Sequence, residues 1–338
     1  MNAEILFETV IGTLGITVFA LFFGLYYKGF DRKIAAHMQN RIGPPLRQPF
    51  WDVGKLLMKN SIVPDNAVGW IYHAAPVVCL AASITLLLYI PIGGYEPVLQ
   101  GHGDLILILY LLTIPALSMV AGGFASGSPF ATVGAQREMV TMMSYEFPLA
   151  VAVVAIVWKL QEVTGGGAVF SLSYIAANPL WGEVGLLGII GLALILLAMV
   201  IVMPAELSKV PFDTGEAETE IAEGLLVEYS GRNLAMFYLA DGVKTVALAS
   251  LMVALFFPWG IAETLSLSGL AADAANIVFY LVKVLLVMVF GVTLIRVGVA
   301  RLRISQVVST YWVSITLMAL LGLVLLMWDS QVLSIQVW

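Results

Sequence analysis

Long apolar runs separated by short polar connections dominate this chain, and they set the first expectation. Eight runs are long enough to cross a bilayer: about 4–27, 70–91, 104–124, 140–160, 185–206, 234–258, 275–296 and 309–328. A spanning helix needs about 20 apolar residues to cover roughly 30 Å of hydrocarbon. Strand-period alternation is absent, so a transmembrane barrel is not expected. The expected fold class is an all-α polytopic membrane protein, one integral membrane domain over residues 1–338. The first run carries Glu4 and Glu8 with no basic region before it, which reads as a retained helix rather than a cleaved signal peptide.

One more helix is expected outside the spans. Gly43-Pro44-Pro45 breaks the connection after the first run. Beyond Pro49, the residues Phe50, Trp51, Val53, Leu56 and Leu57 share one side, while Asp52, Lys55 and Lys59 lie towards the other. That pattern suits a short amphipathic helix in the interface plane. It would act as a lid packed on the bundle or as a gate over a cavity.

Lys and Arg set the orientation. They concentrate in alternate connections: Lys28, Arg32, Lys33, Arg41, Arg47, Lys55 and Lys59; then Arg137; then Lys209 and Arg232; then Arg296, Arg301 and Arg303. Lys159, at the end of the fourth run, is the exception. Both termini are therefore expected on the outer side of the cytoplasmic (inner) membrane.

Composition sharpens one feature. Only 11% of residues are charged and 60% are hydrophobic, against about 25% charged in a soluble domain. Yet residues 211–231, PFDTGEAETEIAEGLLVEYSG, hold Asp213, Glu216, Glu218, Glu220, Glu223 and Glu228. On a helix, Asp213, Glu216, Glu220 and Glu223 fall on one face about 80° wide, with Glu218 opposite. Burial and mutual repulsion raise carboxyl pKa values, as a proton relay needs. The alternative is a solvated acidic surface, but Ala217, Ile221, Ala222, Leu225 and Leu226 are interleaved with the acids. Other charged groups at membrane depth are Glu146, Asp241, Lys244 and Lys283, expected to face a partner or water. Asp241 and Lys244, three apart, are in reach of each other as a buried ion pair.

Little else carries chemistry. The single Cys79 excludes an internal disulfide or a cysteine-ligated cluster. His37, His73 and His102 have no metal-ligand spacing. Gly165–Gly167 lacks the strand-to-helix setting of a nucleotide loop and reads as a turn. Met139, Met142 and Met143 read as packing. No internal repeat and no Ser/His/Asp set is evident. The chain is expected to hold no redox cofactor or catalytic centre of its own, and no nucleic acid.

These residues together resemble a known family. Arg32-Lys33, Arg41-Ile42-Gly43-Pro44, Gln48-Pro49 and Lys55-Leu56 come first. Gly134-Ala135-Gln136-Arg137 and Ser144-Tyr145-Glu146 follow. Ala205-Glu206, Pro211-Phe212-Asp213, Glu216-Ala217-Glu218, Glu220 and Glu228-Tyr229-Ser230 complete the set. Their order and spacing over roughly residues 15–310 are similar to the NuoH family, the membrane subunit joining the two arms of respiratory complex I. Three features depart from its quinone-reducing members: Gly43-Pro44 runs almost straight into Gln48-Pro49, Asn60 replaces an acid, and the last basic loop reads Ala300-Arg301-Leu302-Arg303. The short Gly43-Pro44-Pro45 loop, residues 228–236 (EYSGRNLAM) and residues 300–303 look more like the corresponding subunit of energy-converting membrane-bound [NiFe] hydrogenases and formate hydrogenlyase.

The resemblance implies a membrane subunit that couples peripheral electron transfer to proton or sodium movement. It implies a [NiFe] centre and Fe–S clusters in partner chains, and contacts with hydrogenase large and small subunits, antiporter-like subunits and lipid. It implies a coupling path through Glu146, Glu206, Asp213, Glu216, Glu218, Glu220, Glu223, Glu228, Asp241, Lys244 and Lys283, with Arg32, Arg41, Arg137 and Glu138 as counter-charges or loop contacts. The alternative is a complex I subunit forming part of a quinone cavity. A free-standing transporter would favour paired discontinuous helices, which are not found, and a passive anchor would not require so many carboxylates.

Overall fold

The computed structural model describes residues 3–100, 104–262 and 264–336, so His102 lies outside the described residues. Eight helices in it are long and apolar enough to cross a membrane. In chain order the elements are α1 (Ala3–Met38), α2 (Gln48–Met58), α3 (Gly69–Leu88), α4 (Asp104–Ala125) and α5 (Pro129–Thr164). Then come the short α6 (Leu172–Ala177), α7 (Leu186–Glu206), the single turn α8 (Glu218–Ile221) and α9 (Gly231–Phe256). α10 (Leu270–Met288) passes through a π-helical turn, Val289–Thr293, into α11 (Leu294–Gly298). Likewise α12 (Ile304–Ser309) passes through a π-helical turn, Thr310–Ile315, into α13 (Thr316–Gln336).

The expected all-helical polytopic architecture is present, but two helices overrun their apolar windows. α1 continues to Met38, so Lys28, Arg32 and Lys33 ride on a helix rather than in a loop. α5 begins at Pro129, where a proline suits a first turn, so Arg137 and Glu138 are helical as well. Its other end closes at Gly165, left-handed at φ 71°, a conformation that costs glycine little.

Residues of α9 are almost all buried, so it forms the axis of the bundle. α1, α2, α3 and α10 pack around it, and α4, α5, α7 and α13 form the other side. Helices in lipid gain no hydrophobic drive from meeting each other, so close backbone approach matters more. Gly24 of α1 meets Gly242 of α9 with no room between: a Cβ on Gly24 would lie 2.8 Å from the Gly242 carbonyl carbon. Gly191 of α7 and Gly322 of α13 make the same kind of contact, 2.8 Å from Cβ to carbonyl oxygen. Outward-facing apolar residues such as Leu14, Val18 and Phe22 remain exposed, as a membrane environment allows.

α2 lies where the sequence places an amphipathic helix, but its inward side is not the purely apolar one. Pro49 and Val53 are buried, while Trp51 and Leu57 of the apolar side are exposed. Asp52, from the polar side, turns towards the bundle because Arg32 of α1 reaches it at 2.8 Å.

Replacing Gly242 with Leu should force α1 off α9 and lower the amount of assembled complex in membranes severalfold, since overpacking costs about 1–3 kcal/mol or more. Gly15→Ala, where a Cβ meets nothing within 4 Å, should leave the amount unchanged. Blue-native electrophoresis of tagged membranes measures both.

Candidate functional site

The charged groups gather at the end of the bundle where α1, α7 and α11 finish and α5, α9 and α12 begin. α7 ends at Glu206, and the chain turns back through Ser208 at φ 47°. The Lys209 N–H donates to the Pro204 carbonyl at 2.8 Å, which fixes that turn. Lys209 thereby faces α9, where Asp241 accepts from it at 2.7 Å and from Lys28 of α1 at 2.6 Å. One turn along, the Lys244 ammonium meets the Glu206 carboxylate at 2.8 Å and its carbonyl at 2.7 Å. The Asp241–Lys244 pair expected from their spacing is therefore not formed. A three-residue step turns the side chains about 60° apart, and each finds its partner on a different element.

Tyr238 extends the cluster. Its ring lies 3.4 Å from the Lys28 ammonium, and its hydroxyl accepts from Arg32. Asp31 is held by Arg296 at 2.9 Å and by Thr293 at 2.8 Å. Three adjoining cavities follow these residues. The first, about 530 Å³, opens beside Arg32, Arg41, Pro44 and Arg296. The second, about 150 Å³, shares Arg32 and Arg296 with it and adds Lys28, Asp31 and Asp241. The third, about 200 Å³, shares Lys209, Tyr238 and Asp241, and reaches Glu206, Glu216 and Lys244. Arg41 stands at the mouth of this series, and among the described residues its guanidinium bonds only Gln39.

The acidic stretch folds differently from its expected helix. Apart from the turn α8, it is irregular, with Ala222, Glu223 and Gly224 all left-handed. The Leu225 N–H bonds the Gly215 carbonyl, and both press against Gly134 of α5, where a Cβ would lie 2.7 Å from the Gly215 oxygen. Glycine at 134, 215 and 224 permits this fit, and Ala217, Ile221 and Leu225 are buried by it. Asp213, Glu216, Glu220 and Glu223 consequently share no helical face.

The acids sort into two groups. Asp213 is buried and takes a two-point contact from Arg301, with Nε to Oδ1 at 3.0 Å. Glu216 is enclosed in the third cavity. Glu220 is exposed but pairs with Arg137 at 2.5 Å. Glu218 and Glu223 are exposed, and Glu228 is half-buried; none of these three forms an ion pair among the described residues. The backbone carbonyl of Glu228 accepts from Tyr72 at 2.7 Å.

Glu138, expected as a loop contact, is instead 2% exposed and belongs with the buried acids. It accepts from Ser208 at 3.0 Å, and its other oxygen has no hydrogen-bond partner. Glu146 lies two turns further along α5, about 12 Å deeper, also with a buried unpartnered oxygen. Between them the hydroxyl of Tyr145 is buried without a partner.

Lys283 stands apart from the cluster. Its ammonium bonds the carbonyls of Phe257 and Trp259, at 2.6 and 2.7 Å, beyond the far end of α9. That end is about 20 Å along the axis from Lys244. Lys159, the exception to the charge bias, is also at the far end, buried beside Asp329 at 3.5 Å and Glu162 at 3.4 Å.

Lys28, Asp31, Lys209, Tyr238, Arg296 and Arg301 are not singled out by the sequence as site residues. The basic ones are visible there only as orientation signals. No spacing rule connects Lys28 to Asp241, because they lie far apart in the sequence.

Burial pushes the Glu216 carboxyl from an ordinary 4.5 up to about 8, with Lys209 opposing and Glu138 and Asp241 reinforcing. Lys209 is moved upward, because Asp241 outweighs the opposite effect of its burial. Lys28 and Lys209 share one carboxylate, Asp241, while Lys244 is matched by Glu206. In formal charges the cluster is then one negative charge short until Glu216 ionises. Such an arrangement can hold one proton and release it when the charge nearby changes.

Residues 11–327 match the model of the NADH dehydrogenase family. The chain belongs to that family. It is 33% identical to hydrogenase-4 component C of Escherichia coli (strain K12), over 92% of this chain and 94% of that protein. It is 32% identical to an NADH-quinone oxidoreductase subunit of Brevibacillus brevis (strain 47 / JCM 6285 / NBRC 100599), over 92% and 88%. A solved structure of the membrane-bound sulfane sulfur reductase, an archaeal respiratory membrane complex, superposes with a TM-score of 0.80 at 29% identity. That match covers 94% of this chain and 99% of the other. Membership makes this a multi-pass membrane protein whose partners are other subunits of a membrane complex.

Because Glu216 binds its proton more tightly when folded, its contribution to stability is complete below pH 4.5 and is lost as pH rises through about 8. Glu216→Gln should flatten the fall in thermal stability across that window while leaving the acid side of the curve unchanged. Melting the purified complex from pH 4.5 to pH 9 measures it.

Proposed function

We propose that this chain is the membrane subunit of a redox-driven ion-translocating complex of the membrane-bound [NiFe] hydrogenase type. The observation that carries this reading is the series of three cavities joined through Arg32, Lys209 and Asp241 and ending at Glu206 and Glu216. A charge change at the mouth is felt along it through Arg32 and Tyr238, the Lys28–Asp241–Lys209 pairs, and then Lys244 with Glu206. Protonation or position then shifts at Glu216, Glu206 and Glu138, and passes by Tyr145 and Glu146 towards a neighbouring membrane subunit. Asp213 and Glu220, clamped by Arg301 and Arg137, hold the acidic segment in place beneath the peripheral subunits.

Electron transfer itself belongs to those partners: hydrogenase large and small subunits with their [NiFe] centre and Fe–S clusters, beside antiporter-like subunits. The cytoplasmic membrane, with both termini on its outer side, fits the concentration of Lys and Arg at the cluster's end. Sequence identity does not choose between hydrogenase and quinone relatives, since the two values are nearly equal. The shape of the first connection supports the hydrogenase reading. Only residues 39–47 separate α1 from α2, and the loop is drawn tightly onto α1, where a Cβ on Gly29 would lie 2.4 Å from the Leu46 carbonyl. The two inner cavities are narrow, about 150 and 200 Å³, and are lined by ion-paired side chains. A quinone-reducing complex I subunit is the second reading, favoured by the larger cavity at Arg41 and Arg296.

Purification of the complex with mass spectrometry of the companions and a nickel assay separates the two. Nickel with a [NiFe] large subunit is the expected result; flavin-bearing partners without nickel would replace it with the quinone reading. In that complex, Asp213→Asn should lower ion movement about tenfold while dye-linked hydrogenase activity stays within about twofold. Removing one partner of a buried pair costs about 3–5 kcal/mol, so equal loss of both activities would report failed assembly, and normal ion movement would sink the coupling role.

A further inference from the structure

A second polar cavity lies at the opposite end of the bundle, remote from the coupling cluster. It encloses about 280 Å³, and its lining includes Glu96, Ser173, Trp259, Asn276 and Lys283. Three hydrogen-bond donors meet there without full use. An ammonium has three N–H groups, and the Phe257 and Trp259 carbonyls engage two of those on Lys283. Asn276 has its oxygen committed to the N–H groups of Ile261 and Ala262, which aligns its amide and leaves Nδ2 without a partner among the described residues. The Ser173 hydroxyl oxygen is buried and unpartnered. Glycine at 93 and 94 brings the α3–α4 connection close against Ile277 and Asn276, so the cavity has a loop for one wall.

One cation with two neutral donors suits a phosphate-like anion. The rim bears the opposite sign: Glu96 is exposed, and the Gln100 amide holds its carboxylate at 2.8 Å. A ligand that satisfies both carries an anionic phosphate and a cationic amine a few atoms apart. The surroundings identify its source as lipid. Connections between spans lie at the membrane boundary rather than within hydrocarbon, and Tyr95 and Trp259, both about half exposed, supply the amphipathic rings typical of that level. Alongside the cavity and continuing past Lys283, Val278, Val282 and Leu286 form an exposed apolar stripe on α10, four residues apart. We propose that this cavity binds the headgroup of a phosphatidylethanolamine-type phospholipid. The phosphate sits on Lys283, Asn276 and Ser173, the ammonium faces Glu96, and acyl chains lie along the α10 stripe.

The test is native mass spectrometry of the intact complex, stripped in detergent and reloaded from vesicles of equal phosphatidylethanolamine and phosphatidylglycerol. The expected result is one tightly retained phosphatidylethanolamine, retention kept by Lys283→Arg and reduced at least tenfold by Lys283→Gln. Glu96→Gln should still retain phospholipid but lose the preference for phosphatidylethanolamine. Unchanged retention in assembled Lys283→Gln complex would overturn the proposal. If that variant does not assemble, an unchanged preference in Glu96→Gln would overturn it instead. Soluble glycerophosphoethanolamine should fail to displace the lipid; displacement at equal concentration would overturn the lipid assignment.

Discussion

An ionised carboxylate in the interior of a membrane bundle needs a counter-charge, and in this protein Asp241 has two. It projects from the most enclosed helix and takes one ammonium from α1 and one from the turn that follows α7. Much of the architecture at that end depends on this meeting. Tyr238 stacks on the same Lys28 and passes the connection to Arg32, and Arg32 anchors α2 through Asp52. Without the Asp241 carboxylate, two cations would face one another in a poorly solvated space. The groups that would carry a coupling signal are thus the groups that position the helices, and the two roles cannot be separated by a large substitution.

The number and course of the spans were legible because about 20 apolar residues in a row leave few alternatives. Their ends were not. α1 and α5 continue through Lys28–Met38 and Pro129–Glu138 because the polar side chains there have partners inside the protein. The hydropathy of a segment does not show whether such partners exist. The acidic stretch was recognisable as unusual, and its buried apolar residues were readable from their interleaving. Its helical face was not real, because glycines at 134, 215 and 224 let a folded-back backbone nest where a helix would not fit. Asp241 and Lys244 illustrate the remaining limit. Spacing put them within reach, but each had a better partner that only the folded chain brings near.

Family membership accounts for the shared layout of relatives that differ in electron acceptor. A hydrogenase component and a quinone oxidoreductase subunit align with this chain at nearly the same identity, each over 92% of this chain's length. In this protein the connection between α1 and α2 is nine residues long and folds back onto α1 at Gly29, and the inner cavities are lined by paired charges.

The two π-helical turns add a mechanical property. A π turn holds an extra residue compared with an α turn. If the bulge moves along its helix by one position, the residue it passes rotates by about 100°. Thr293, which holds Asp31, lies in one such turn. Tyr311 lies in the other; it bonds the Ile201 carbonyl at 2.8 Å and packs edge-on against Tyr145 at 6.4 Å. Contacts made from such positions are exchanged whole rather than stretched by degrees. The junctions of α10 with α11 and of α12 with α13 are therefore the places where such a step would trade one set of contacts for another at once, like a detent.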